Sequence, residues 1–390
     1  MLDGIALARP SSRDDFEIAI VCALRLEFDA VCLVVDEFWD ANGDHYRRAR
    51  GDQNTYTPGR IGNHNVVLVL LPSMGKASSA AAAANLRHSY NSLKVVLLTG
   101  VCGGVPGLAT VASPDIFLGD VVISQQVVQF DFGRQYPGQF MAKEGAADAL
   151  RRPNREISTI LAVIKTEHGF GRLEHNSAKV LSKLQARAEN EELRVDYRRP
   201  RKETDCLFPA DYTHKHRDTT ICGCSQYSHP CPDAIASSCD ILGCDTSQKI
   251  TRQRAASPAD ADGRLRIYVG AVGSADTVMK SGVDRDNIAA RHDLIAFEME
   301  AAGMWEELPC IVVKGVCDYA DSHKAKGWQP FSAASAAAVT KALLSTIQAT
   351  DRLQKRTSSK TAKLETGGWP TSTSLTKCMM FRLINSSEVL

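Results

Sequence analysis

The sequence predicts an α/β fold with a central sheet covered by helices on both faces, and three observations carry that expectation. Apolar runs of strand length recur along the chain: FEIAIVCAL at 16–24, VVLVLLP at 66–72 and KVVLLTG at 94–100. These runs lack the in–out alternation of a half-exposed sheet, so both faces of each strand are expected to be buried. Helix-favouring stretches lie between them, GKASSAAAAANLRHSY at 75–90 being the clearest, because alanine loses least on entering a helix.

Taken in order, the first run is followed from Glu27 by an amphipathic helical stretch, and DVVISQQVV at 120–128 adds a further strand. From about Ala146 to Gly263 the pattern dissolves. A charged helical stretch around 176–192 gives way to RRPRKETD and then to a segment bearing Cys, His and Ser. We read this as a long insertion, partly loop, within one domain spanning 14–348. The pattern resumes with the strand RIYVGAVG at 266–273, the helix DRDNIAARH, the strand PCIVVKGV at 309–316 and an alanine-rich helix from Phe331. The tail at 350–390 is polar and rich in Ser, Thr and Lys, a composition that predicts disorder.

Composition narrows the class. With 390 residues, 44% hydrophobic and 23% charged, the chain reads as soluble and globular. A net charge of +1 provides no global field for nucleic acid or an acidic membrane, so a partner must be recognised by a local site. The apolar runs are too short to span a bilayer. The start, MLDGIALARPSSRDD, lacks a basic segment followed by an apolar core, so a cytoplasmic location is expected. Cys22, Cys32, Cys102, Cys310 and Cys317 lie in apolar segments, as small buried thiols of a reducing compartment do.

In open α/β sheets ligands sit beyond the carboxyl ends of the strands. Glu27 follows the first apolar run, GVCGG the third, and SADTVMKSG the strand at 266–273. LIAF leads into EMEAAG, and IVVKGV into CDYADSHK. Carboxylates and small residues thus gather at the strand ends. Singly, each has a bland explanation: Glu27 and Glu300 as acids in a first helical turn, Asp318 as a turn cap, Glu298 as a structural acid.

The ordered set AIVCALRLEFDA, LLTGVCGG, GDVVIS, SADTVMKSG, AFEMEAAGM and GVCDYADS resembles the nucleoside phosphorylase superfamily. Its methylthioadenosine/S-adenosylhomocysteine nucleosidase branch is similar, as are the phosphorylase-like domains of fungal multidomain proteins. The likeness covers most of 16–130 and 265–348. It implies a three-layer α/β/α fold with a mixed, mostly parallel central sheet, and cleavage of the N-glycosidic bond of a purine nucleoside by hydrolysis or phosphorolysis. By resemblance, Asp318 protonates the purine, Glu27 activates the attacking water and Glu300 holds the ribose hydroxyls. Val278 and Met299 pack base and sugar, and the backbone of Val101, Cys102 and Gly103 approaches the base. The resemblance also implies a homo-oligomer and no cofactor beyond phosphate as a possible co-substrate. Two positions depart from it: Val278 stands where an aromatic is usual and Val101 where a serine is usual. A nucleoside-sensing module of a fungal receptor-like protein, weakly catalytic or inactive, is the alternative.

For phosphorolysis the sequence offers Ser73 and Lys76, in a glycine-containing turn at a helix start where an anion can bind. In the insertion, four ligands drawn from residues such as Cys206, His214, Cys222 and Cys224 could hold a structural zinc, since thiolate and imidazole are its preferred donors. His216, His229 and Cys231 lie in the same segment. The C-x-C spacing is not the usual zinc knuckle, and a flexible loop with unpaired thiols is the competing expectation.

Overall fold

The computed structural model describes residues 9–349, apart from 108–114, 138, 144–149, 151, 218–221, 228–229, 253–263 and 325. The tail at 350–390 and His229 lie outside the described residues. No helix among the described residues is long and apolar enough to cross a membrane.

Strand β1 (Ile18–Cys22) opens the fold and runs into helix α1 (Arg25–Cys32). β2 (Glu37–Phe38), β3 (Tyr56–Ile61) and β4 (His64–Leu70) follow, then helix α2 (Lys76–Ser89) and the long strand β5 (Val95–Gly104). After β6 (Val121–Gln129) come the small hairpin β7 (Gly133–Tyr136) and β8 (Gln139–Ala142), and helices α3 (Arg155–Ile164) and α4 (Glu167–Asn190). The described residues of the segment beyond α4 form only short turns, among them α5 (Pro232–Ala236) and α6 (Cys239–Leu242). The α/β pattern then returns with β9 (Ile267–Ser274), α7 (Gly282–His292), β10 (Leu294–Glu298), α8 (Ala301–Trp305), β11 (Cys310–Asp318) and α9 (Gln329–Leu344).

Nine strands form one mixed sheet in the order β10-β9-β6-β11-β5-β1-β4-β3-β2. Its centre is parallel, β1 pairing in parallel with both β4 and β5, and β5 with β11. The sheet also curls: β10 meets β5 antiparallel at Ala296–Gly104 and Phe297–Gly103, bringing the ends of β5, β10 and β11 together. Alternate residues of β1 show why the strands read as unbroken apolar runs. Ile18, Ile20 and Cys22 enter the core formed with α1, α4 and α9, whereas Ala19 and Val21 enter the core formed with α2 and α8. Three layers result, as the α/β/α expectation has it.

The stretch 146–263 is not uniform. Leu173, Leu181, Leu184 and Ala188 of α4 are buried in the main core, and Arg187 Nη1 donates to the carbonyls of Leu33 and Val35 at 3.1 and 3.0 Å. α4 is therefore part of the helical layer, and only the segment beyond it has a core of its own, a small one around Phe208, Ala234, Leu242 and Cys244.

Candidate active site

Glu27 occupies the third position of α1, and its carboxylate turns back to the end of β1. Oε2 accepts hydrogen bonds from the amides of Ala23 and Leu24, each at 2.9 Å, and Oε1 accepts from Val101 N at 2.7 Å. It crosses over β5 so closely that a Cβ at Gly100 would lie 2.2 Å from Oε1; the glycine of the TGVCGG turn is what admits the acid. Burial raises the proton affinity of Glu27 against the opposing pull of Lys314.

The second group of acids stands where β10 passes into α8. Glu298 binds backbone: Oε2 accepts from Glu300 N at 2.9 Å and from Ala301 N at 3.0 Å. Burial and the neighbouring Glu300 push its carboxyl up to about 7. Glu300 points the other way, with Oε2 3.2 Å from Lys314 Nζ and Oε1 3.4 Å from the amide of Gly75. Lys314 lies mid-way along β11 and is fully buried, its charge favoured by Glu300, Glu27 and Glu298 against the cost of desolvation. Sequence reasoning missed this lysine. The available signal was a single cation inside the otherwise apolar run CIVVKGV.

Asp318 ends β11, just past an irregularity in the β11–β5 register between Val316 and Asp318 that re-aims its side chain. Its Oδ1 accepts from Ala320 N at 2.8 Å and pairs with Lys324 Nζ at 2.9 Å. A Cβ on Gly103 would lie 2.9 Å from that same oxygen, so Asp318 abuts the β5 turn. Asp321, three residues on, is buried and accepts from His323 N at 2.8 Å.

These groups surround a cavity of about 240 Å³ lined by Glu27, Val101–Gly103, Val278, Met279, Phe297–Glu300 and Lys324 among others. Glu27, Glu300, Met299, Val278, Val101, Cys102 and Gly103 are thus brought together; Asp318 stands at the edge, behind Lys324. Val278 is 47% exposed, so this wall is open and without an aromatic plane. Cys102 is buried with its thiol pushed up by desolvation, which suits packing and not nucleophilic attack. A larger groove of about 800 Å³, between β6 and α3, shares no lining residue with this cavity, and no carboxylate among the described residues lines it.

At the turn of Ser73 and Lys76, the lysine is engaged by acids. Lys76 Nζ lies 2.5 and 2.6 Å from the two oxygens of Asp131, and its amide donates to Asp276 Oδ1 at 2.7 Å. Both the amide and the ammonium of Lys76 are thus engaged by carboxylates. Among the four sequence-proposed metal ligands, His214 lies with Cys239, Cys244 and His323, whereas Cys222 and Cys224 lie with His216 and Cys231. Cys206 belongs to neither group and donates to the Glu203 carbonyl at 3.2 Å. The proposed four therefore do not form one site: residues that share a stretch of sequence part in space, and partners such as His323 lie about a hundred residues away.

The acids gather in a cavity at the strand ends, where α/β folds place their small-molecule sites. The phosphorylase superfamily model matches residues 17–196, so this stretch of the chain is similar to that superfamily. The matched stretch holds Glu27 and Val101–Gly103; Glu300 and Asp318 join them through the fold. Over 346 residues the chain is 29% identical to a nucleotide-binding leucine-rich repeat (NLR)-like protein of Hyaloscypha variabilis, covering 87% of this chain and 30% of that protein. Over 87 residues it is 32% identical to a 5'-methylthioadenosine/S-adenosylhomocysteine nucleosidase of Mycobacterium bovis, covering 22% and 31% of the two chains. The match thus spans less than a third of the length of either curated relative. Among solved structures, the nucleosidase of the same name from Neisseria meningitidis, in complex with methylthio-immucillin-A, is similar with a TM-score of 0.46 and 14% identity. That likeness covers 85% of this chain and 99% of the other.

Proposed function

We propose that this domain hydrolyses the N-glycosidic bond of a purine nucleoside. The observation that carries the reading is that Glu27 and Glu300, from elements far apart in sequence, line one cavity at the strand ends, with Asp318 paired to its lining residue Lys324. Glycosidic cleavage passes through a cation-like sugar, so it needs a held ribose, a base that can accept a proton and an activated nucleophile. Glu300, fixed by Lys314 and the Gly75 amide, presents a carboxylate to two ribose hydroxyls as charge-assisted acceptors. Glu27, whose burial raises its proton affinity, takes a proton from water as the oxygen attacks the anomeric carbon. The bonding electron pair leaves with the purine, which Asp318 protonates once the Lys324 ammonium has parted from Oδ1. Water is favoured over phosphate because Lys76 is committed to Asp131.

The test is base release from adenosine, inosine, guanosine and methylthioadenosine, with and without phosphate. We expect phosphate-independent release by the wild type, slower by roughly 10²–10⁴-fold in Asp318→Asn, the usual worth of general acid assistance. Release that requires phosphate would reassign the reaction as phosphorolysis, and an unaffected Asp318→Asn would remove that residue from the chemistry.

A second reading, binding without turnover, is favoured by one feature of the site: Lys324 holds the oxygen of Asp318 that would serve the base. The NLR-like relative, matched over 87% of this chain, suits such a sensing module. Calorimetric binding of a nucleoside by a wild type that releases no base would establish it.

A further inference from the structure

The segment between α4 and β9 has too little apolar material to hold itself. Among its described residues, its own buried cluster is Phe208, Ala234, Leu242 and Cys244, and its helices are single turns. Segments with so small a core are held by disulfides or metals. Disulfides do not serve here, since all of these cysteines are free and Cys222 Sγ lies 3.8 Å from Cys231 Sγ, against about 2.05 Å for a bond.

Two groups of four donors are found here instead, seven of the eight from this segment and the eighth, His323, from beyond β11. In the first, His216 Nδ1 is 3.2 Å from Cys222 Sγ and 3.5 Å from both Cys224 Sγ and Cys231 Sγ. In the second, His214 Nδ1 is 3.6 Å from Cys239 Sγ and 3.4 Å from Cys244 Sγ, and His323 Nδ1 is 3.5 Å from Cys239 Sγ. A tetrahedron with zinc–sulfur bonds of about 2.3 Å and zinc–nitrogen bonds of about 2.0 Å has edges of about 3.8 Å between sulfurs and about 3.5 Å between sulfur and nitrogen. The observed spacings are those edges. Donors from scattered positions have no other reason to converge at this separation, since thiols and imidazoles in ordinary packing have no common centre.

The surroundings match ligand duty as well. Both imidazoles of the second group turn their other nitrogen to a carbonyl, His214 Nε2 to Ser237 O at 3.0 Å and His323 Nε2 to Tyr212 O at 2.7 Å. This fixes the tautomer with Nδ1 free to coordinate. In the first group, the amides of Cys224 and Ala234 donate to Cys222 Sγ and Cys231 Sγ, each at 3.4 Å, as they would to thiolates. Closed sets of four protein ligands, with no open position, are structural and not catalytic.

We propose that this segment binds two zinc ions, one held by His216, Cys222, Cys224 and Cys231, the other by His214, Cys239, Cys244 and His323. The thiol protons leave to solvent as each metal binds. The second ion has a further role. His323 is not part of the inserted segment; it follows β11, five residues after Asp318 and next to Lys324. The ion therefore clamps the inserted segment onto the loop that carries Asp318, Asp321 and Lys324.

Mass spectrometry of the intact, natively folded chain, prepared with zinc and without chelator, is the test. Two zinc ions per wild-type chain are expected, falling to one in His323→Ala and to one in Cys222→Ser, with both kept in Cys206→Ser. Because a ligand variant can misfold, the stripped wild type is also titrated with Co²⁺. Two equivalents should bind and produce the intense visible bands and thiolate charge-transfer absorption of tetrahedral sulfur sites. Fewer than two ions in the zinc-replete wild type, two ions retained by His323→Ala, or octahedral Co²⁺ spectra would overturn the proposal.

Discussion

Glu298 illustrates how a single buried carboxyl governs stability at this site. Glu27 and Glu298 share the interior with Glu300 and the ammonium of Lys314, and burial raises the proton affinity of both Glu27 and Glu298. Glu298 responds most clearly, rising from 4.5 to about 7. The sign follows from linkage. Below pH 4.5 it is protonated whether folded or unfolded, and its burial as a neutral acid carries no charge penalty. Between 4.5 and 7 the unfolded chain has lost the proton that the folded chain keeps, so stability falls as pH rises, by at most about 1.4 kcal/mol per pH unit. Above about 7 the loss is complete. Glu298→Gln removes the titration while keeping an oxygen for the amides of Glu300 and Ala301, so urea unfolding of the variant should show a flatter decline across that window. Equal slopes for variant and wild type would assign the pH dependence to other groups. The three acids were legible in the sequence because strand ends are where an α/β sheet places its site. Lys314, Lys324 and Asp131 were not, because their importance lies in pairings between distant positions that no local pattern encodes.

Helix α9 shows what an element contributes. Ala333, Ala334, Ala336, Ala337 and Ala338 are all buried, and the helix packs on β5 and β11 on one side and on α1 and α4 on the other. Small side chains let its backbone lie close to the sheet on all these contacts, and Thr340 Oγ1 meets Thr99 Oγ1 at 2.9 Å within that core. Ala337→Leu adds volume where packing is already dense and should destabilise the domain by about 1–3 kcal/mol. A denaturation midpoint unchanged from the wild type would show a void that the packing does not suggest. The central strands were legible for the same reason that the helix is buried: burial on both faces leaves an unbroken apolar run. The hairpin of β3 and β4 was legible only in its second strand, since Pro58, Gly59 and Arg60 read as turn residues, yet they pair with Val67, Val66 and Asn65 in the ladder. The closure of β10 on β5 left no local trace, because it follows from the curl of the whole sheet.

At the scale of the whole described domain, the inserted segment and the sheet are joined by buried polar contacts as well as by any metal. Arg252 is 7% exposed; its Nε donates to Asp115 Oδ1 at 2.9 Å, its Nη1 to Tyr319 Oη at 2.6 Å, and its Nη2 to Asp115 and the carbonyl of Ile116. The guanidinium lies 3.6 Å from the centre of the Phe117 ring, and Tyr319 passes the connection on to Asp205 at 2.5 Å. This one side chain thus ties the end of the insertion to the segment before β6 and to the loop after β11, where Tyr319 neighbours Asp318. Arg252→Ala leaves Asp115 and Tyr319 without their partner and should cost about 2–3 kcal/mol, less than the loss of a fully buried pair because Asp115 is partly exposed. The damage should be local first. Segments with small cores open below the global unfolding free energy, and the 198–252 stretch rests on short turns, a small cluster of its own and a few anchors in the main core such as Leu207. Limited proteolysis of Arg252→Ala is therefore expected to cut within 198–252 several-fold faster than in the wild type, while peptides of β1, β5 and α4 stay protected. Equal cleavage across the chain would instead mean that the insertion and the sheet unfold as one unit, with Arg252 contributing to global stability and not to the seating of the insertion.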